Sequence, residues 1–135
     1  MKSQYFTEEH ELFRDSVKQF VAKEILPFGN QWEKDEKIPR DLFMKLGEQG
    51  FLGINHDEQF GGSKADIFYT CAYLEELAKS NYAGVCAAVS VHQYMATNHI
   101  AEAGSDELKE RFLRPSIEGK KVGAIAVTEP FGGSD

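Results

Sequence analysis

Lys121-Val122-Gly123-Ala124-Ile125-Ala126-Val127-Thr128-Glu129-Pro130-Phe131-Gly132-Gly133-Ser134-Asp135 breaks the helical period that governs the residues before it. From Val122 to Val127 the run is apolar or small without interruption, which reads as a buried strand, and it opens into a turn rich in Gly, Ser and Asp. Gly132 and Gly133 tolerate positive φ without a Cβ penalty, so the N–H groups through Ser134 and Asp135 can converge into a concave anion-binding nest. Thr128, at the mouth of the strand, adds a hydroxyl beside free backbone amides of the same stretch, which suits the polar edge of a planar heterocycle. Read this way, one end of the segment holds a ring and the other a phosphate. The plainer reading is a surface turn in which Asp135 accepts a local N–H.

Upstream of Val122 the period is helical. Thr7 caps a helix whose first turn carries Glu8 and Glu9, with Phe13, Val17, Phe20, Val21 and Phe28 on or near one stripe until Pro27 bends or ends it. A polar link from Gly29 to Lys37 carries Trp32. Pro39 then starts a second helix with Leu42, Phe43 and Leu46 inward, and Gly50 closes it. After the turn at Gly61-Gly62-Ser63, a third helix runs from Ala65 to Lys79, with Phe68, Cys71, Ala72, Leu74 and Ala78 available for packing. The fourth, Ala83 to Glu102, is apolar or small on every side from Gly84 to Val91, the mark of a helix buried on several faces. Ser105 starts a fifth, with Leu108, Phe112 and Leu113 on its buried face and Pro115 and Gly119 stopping it.

Five antiparallel helices with short links predict an all-α helical bundle over residues 1–120, and the switch at residue 121 predicts the start of a β-containing region over residues 121–135. A single strand has no ladder of its own, so its partners are expected beyond residue 135 or in another chain, and the sequence reads as the N-terminal part of a longer protein.

Composition sets limits. The chain has 135 residues, 41% of them apolar, with ten Phe, five Tyr and one Trp, enough to bury one core. A balance of 22 acidic against 15 basic residues gives a net charge of −7, and no stretch concentrates Lys or Arg as a nucleic-acid footprint does. A bound phosphate would therefore rest on backbone amides and a few local charges. Cys71 and Cys86 lie in apolar periodic stretches without metal or framework spacing and read as small buried hydrophobes. No apolar run reaches membrane-spanning length, and the first residues lack an apolar signal core.

The run Ala126-Val127-Thr128-Glu129-Pro130-Phe131-Gly132-Gly133-Ser134-Asp135 resembles the first signature of the acyl-CoA dehydrogenase family: small, aliphatic, Thr or Ser, Glu, two free positions, Gly, Gly, Ser or Thr, Asp. The likeness extends backwards through Ala103-Gly104-Ser105-Asp106-Glu107, Glu58-Gln59-Phe60-Gly61-Gly62-Ser63 and Gly50-Phe51-Leu52-Gly53-Ile54 to Phe6-Thr7-Glu8-Glu9-His10. The resemblance implies an all-α domain preceding a β domain and a second all-α domain. It also implies a flavoprotein using FAD, which removes the α proton of an acyl-CoA thioester to a carboxylate and the β hydrogen as hydride to FAD, with an electron-transfer flavoprotein as acceptor. Carried over residue by residue, Ile125, Ala126, Val127 and Thr128 lie along the flavin, Gly133 and Ser134 approach the pyrophosphate, and Ser134 neighbours the pantetheine arm. The family's base sits in its C-terminal helical domain, so no catalytic residue is assigned in this chain. Family members are usually homotetramers of the bacterial cytoplasm or the mitochondrial matrix, and acyl-CoA oxidases and nitroalkane oxidases share the scaffold. For the chain alone, a non-catalytic helical interaction module is the reading from another class.

Several residues invite functional readings that the sequence weighs down. Glu129 reads as a turn acceptor rather than a base. His92, Gln93, Tyr94, Met95 and His99 occupy the half of the fourth helix that borders the acyl channel in the resembling family, and Val91 and Met95 are the candidates for the acyl wall. A satisfied core histidine is the commoner use of His92. Lys120 and Lys121 suit CoA phosphates or, more simply, a solvated helix end.

Overall fold

In the computed structural model, which describes residues 4–132, the backbone at Thr7 is extended and turns into helix α1, Glu8–Phe20. The Thr7 side chain accepts from the His10 N–H, and Thr7's own N–H donates to His10 Nδ1 at 3.0 Å, a reciprocal cap in which histidine takes the place usually held by Glu or Gln. That bond fixes the His10 proton on Nε2, which faces the Asp66 carboxylate at 3.1 Å. Asp66 is in turn the N-cap of α4, Ile67–Ala78, accepting from Phe68 N–H at 2.8 Å. One buried imidazole thus ties together the starts of two helices that pack along each other.

Helix α1 continues through a wide π-helical turn, Val21–Ile25, and ends before Pro27. The stretch expected as a polar link is instead helix α2, Gly29–Lys34. Gly29 makes this possible: a Cβ there would sit 2.2 Å from the Tyr82 ring, so only glycine lets the segment lie against Tyr82. Trp32 is half-buried, stacked on Phe28 with ring centroids 6.0 Å apart. Pro39 precedes α3, Arg40–Glu48, which buries Leu42, Phe43 and Leu46 as its period predicts. Asp57 caps a short 3-10 turn, Glu58–Phe60, and Gly61 closes it at φ +93°.

The face of α4 departs from expectation. Ala72 is buried, but Ala78 is exposed and Thr70, Tyr73, Glu76 and Leu77 are the residues that face inward with it. Glu76 can turn inward because Arg14 Nη1 donates to it at 3.2 Å and Lys79 Nζ also bonds it, so its charge is paired where water is scarce. The next helical run is continuous: α5, Ala83–Ser90, a π-helical turn, Val91–Ala96, and α6, Thr97–Ala103. Val85 and Val89 are buried, whereas Ala83, Gly84 and Ala87 are exposed, so α5 has an open face rather than burial on every side. Cys71 and Cys86 are free thiols and only half-buried; Cys86 Sγ donates to Leu77 O at 3.2 Å.

Ser105 caps α7, Asp106–Leu108, which runs through a third π-helical turn, Lys109–Leu113, into α8, Arg114–Ile117. Pro115 does not stop this run. The Arg114 N–H reaches back five residues to Lys109 O, and this wider turn admits a following residue that has no N–H to give. Leu108, expected inward, is 45% exposed. The core joins Val17, Phe20, Val21 and Ile25 of the first helical run, Leu42, Phe43 and Leu46 of α3, Phe51, Leu52 and Ile54, Tyr73 and Leu77 of α4, and Val85 and Val89 of α5. The protein is all-α; the described residues contain no strand.

Candidate functional site

Past α8 the chain is anchored for five residues and then released. Gly119 turns it at φ +73°, and a Cβ at this glycine would lie 2.0 Å from Phe43 O, so the turn is wedged against α3. The N–H groups of Lys120 and Lys121 both donate to Pro115 O, at 2.9 and 3.1 Å, and Arg40 Nη2 donates to Lys120 O at 3.3 Å. Gly123 N–H then donates to His92 Nδ1 at 2.9 Å. A Cβ at Gly123 would stand 2.9 Å from Ala96 Cβ, so this second glycine allows the backbone to lie directly on the π-helical turn.

Residues 124–128 make no hydrogen bond to any described residue, and the next bond along the chain is the local turn from Gly132 N–H to Glu129 O. Of the residues expected to meet the flavin, Ile125 is half-buried while Ala126, Val127 and Thr128 are exposed. Val122 is 39%, Val127 74% and Phe131 fully exposed. The buried strand expected over Val122–Val127 is therefore absent: the backbone has no ladder partner and is largely exposed, because a strand forms only where a second edge supplies its ladder. Gly133 and Ser134 lie outside the described residues. What the segment offers chemically is a row of unpaired N–H and C=O groups with the Thr128 hydroxyl at its far end, a donor and acceptor set that fits the polar edge of a flavin ring.

His92 is fully buried, and both its nitrogens are bonded. Because Nδ1 accepts from Gly123, the proton is on Nε2, which donates to Ser116 O at 3.2 Å. The ring meets the Phe43 ring edge to face at 5.4 Å. Burial holds the imidazole below its ordinary pKa. A second buried imidazole lies nearby: Thr97 Oγ1 gives its proton to Gln93 O at 2.7 Å and so accepts from His56 Nε2 at 3.1 Å. Burial, with His92 as a further influence, also holds His56 low.

The proposed acyl-wall residues share one element. Val91 is half-buried and Met95 45% exposed, both on the π-helical turn. Between them Gln93 is fully buried, and neither end of its amide is hydrogen-bonded to a described residue; the Tyr73 hydroxyl is likewise without a hydrogen-bond partner among them. Burial pushes the Tyr94 phenol up to about 12. His99 is exposed. Lys120 pairs with Glu118 at 2.7 Å, and Lys121 sits over the Phe112 ring at 4.9 Å. Among the described residues no group of three or more His, Cys, Asp or Glu side chains is placed to hold a metal, and no helix is long and apolar enough to cross a membrane.

The sequence reading did not find the Gly123–His92 contact. It joins residues 31 apart, and no local pattern marks a histidine as an acceptor for a backbone that returns from another helix.

Residues 7–120 match the family described as acyl-CoA dehydrogenase, N-terminal domain. The chain is 42% identical over 130 residues to the mitochondrial long-chain specific acyl-CoA dehydrogenase of Rattus norvegicus, covering 96% of this chain and 30% of that protein. It superposes on the crystal structure of an acyl-CoA dehydrogenase from Geobacillus kaustophilus with a TM-score of 0.88 and 40% identity, over 99% of this chain and 35% of that one. An acyl-CoA dehydrogenase complexed with FAD from Bacillus anthracis gives a TM-score of 0.87 at 27% identity, over 100% of this chain and 23% of that one. The chain thus spans about a third of the length of the curated relatives it matches.

Proposed function

The chain belongs to the acyl-CoA dehydrogenase family, and from that premise we propose that it forms the N-terminal helical domain, residues 1–120, and the first strand, residues 121–135, of a flavoprotein that oxidises acyl-CoA thioesters to trans-2-enoyl-CoA. Bound FAD would supply the acceptor for the β hydride. The carboxylate that takes the α proton belongs to a later helical domain, and an electron-transfer flavoprotein and a homotetrameric assembly complete the reading. The compartment that fits is the bacterial cytoplasm or the mitochondrial matrix.

This chain's own part is to hold and orient. Ile125, Ala126, Val127 and Thr128 lie along the ring, Gly133 and Ser134 approach the pyrophosphate, Ser134 also neighbours the pantetheine arm, and Val91 and Met95 form part of the acyl wall. The observation that carries the reading is the release of the backbone after Gly123: the four consecutive residues from Ile125 to Thr128 stand with unpaired amides and carbonyls beside a rigid anchor. The anchor at Gly123 fixes where this edge begins, so part of the cost of ordering it on binding is met in advance by the bundle. Half a site binds weakly, so the test is titration of the 135-residue chain with millimolar FAD, followed by amide chemical shifts. Shifts confined to residues 124–135 and reduced in Thr128→Val support the proposal. Shifts scattered over the bundle, or none along residues 125–128, overturn it.

A further inference from the structure

We propose that His92 is the positioning residue for the flavin-facing segment: its imidazole, locked as the Nε2–H tautomer, clamps the backbone at Gly123 to the end of α8 and so sets where residues 124–128 begin and which way they run. The proposal rests on the reading of residues 125–128 given above, but the clamp is observable without it.

Three observations converge on one ring. Among the described residues, Gly123 N–H gives the last hydrogen bond from the tail to the bundle, and its acceptor is His92 Nδ1 at 2.9 Å. The opposite nitrogen donates to Ser116 O at 3.2 Å, on the helix that feeds the tail. A side chain at Gly123 has no room, standing 2.9 Å from Ala96 Cβ, so the approach is built into the backbone and is not an accident of one rotamer. Both bonds together demand a neutral ring with its proton on Nε2. An imidazolium would carry a second N–H at Nδ1, aimed at the Gly123 N–H, and the clamp would open.

The surroundings favour the neutral form. Phe43 faces the ring from α3, the Ser116 carbonyl from α8, and His56 from the loop before the 3-10 turn; Glu102, at the end of α6, acts on His56. Among the described residues no carboxylate is within ion-pair distance of the His92 ring to hold a proton there. The sign follows. The neutral folded ring stabilises the clamp above the pKa of an unfolded histidine, about 6.5, and that contribution is lost as pH falls below it.

The experiment measures amide hydrogen-exchange protection in the 135-residue chain without FAD, with Val17, Leu46 and Val89 as core references. In the wild type Gly123 should be protected at pH 7.5 and lose about fivefold to tenfold of its protection factor at pH 5, with core amides unchanged, as expected for one hydrogen bond. His92→Asn places an amide oxygen near the Nδ1 position, so it should retain Gly123 protection and show no pH dependence. His92→Gln, with its amide near the Nε2 position, should lose Gly123 protection at both pH values. Should either variant fail to fold, the pH response of the wild type still decides: Gly123 protection that tracks the core amides at both pH values overturns the proposal. Gly123 protection equal in the Asn and Gln variants overturns it too. If the clamp behaves as stated while FAD shifts none of the residue 125–128 amides, the functional reading fails and the clamp stands.

Discussion

Gly50 and Gly119 share a φ of +73° but differ in what surrounds them, which separates backbone strain from lost space. A Cβ at Gly50 meets nothing within 4 Å, while one at Gly119 meets Phe43 O at 2.0 Å and Met44 Cα at 2.8 Å. Gly50→Ala should therefore cost about 1 kcal/mol, the strain of a left-handed conformation. Gly119→Ala adds a clash with backbone that cannot step aside, and should cost about 3 kcal/mol or more. Urea denaturation of the two variants gives the comparison directly, and equal midpoints would show that α3 yields. Both glycines are legible in the sequence as helix stops; that one is wedged and the other free is not, because the partner is the carbonyl of a residue 76 positions earlier. Glu76 was illegible for a related reason. A carboxylate reads as an outward residue, and only Arg14 and Lys79 make its burial tolerable. Burial alone pushes its carboxyl up, but the hydrogen bonds and charges of Lys79 and Arg14 outweigh this and hold it below the ordinary range. Because the folded pKa is depressed, the unfolded chain binds the proton more readily, and stability is lost as pH falls below about 4.3. Chemical denaturation between pH 7 and 3 should show this loss, with a shallower slope in Glu76→Gln.

At the level of elements, the caps were the most readable part of the chain, since Thr7 and Ser105 bond residues three positions ahead. Their coupling was hidden. His10 joins the N-cap of α1 to the N-cap of α4 across 56 residues, so the two caps form one unit. Thr7→Ala should destabilise by about 1 kcal/mol, and Asp66→Ala, which removes both the α4 cap and the His10 partner, by about 2 kcal/mol. The double variant should fall short of the sum by about 0.5 kcal/mol or more, because the first loss already frees the imidazole. Additive values in a thermal or urea cycle would mean that the caps act separately. Helix α2 escaped the sequence reading because it is short and four of its six residues are polar; what lets it pack is Gly29 lying against Tyr82, a contact no local pattern encodes. The π-helical turns are of the same kind. They let one helix carry Val85 and Val89 into the core and then re-aim His92 and Gln93, a rotation that a period of 3.6 does not announce.

For the whole molecule, the decisive contrast is between a bundle whose core is continuous from α1 to α5 and a tail whose described residues make no hydrogen bond to that bundle after Gly123. The switch of period at residue 121 was plain in the sequence, yet the tail does not behave as the strand its composition announces, because ladder pairing is a property of two edges and this chain holds one. The two parts should accordingly respond separately to a protease. An exposed, unpaired segment is cut without unfolding, whereas sites within α1 to α8 need global opening. Phe131 is fully exposed, so chymotrypsin at low concentration should make its first cut in the tail, leaving products that end at Phe131. Their thermal melts should lie within about 2 °C of the intact chain, since no described core contact lies beyond Gly123. Mass spectrometry identifies the cut, and a first cut inside the bundle would contradict the division. Thermolysin, which selects aliphatic residues, tests the Gly123 clamp itself. Removing the chain from Val122 onward also removes the Gly123 bond to His92 and leaves a buried acceptor unpaired. The product cut at Val122 should therefore melt below the product cut at Val127, which keeps the clamp, although the two differ by only five residues.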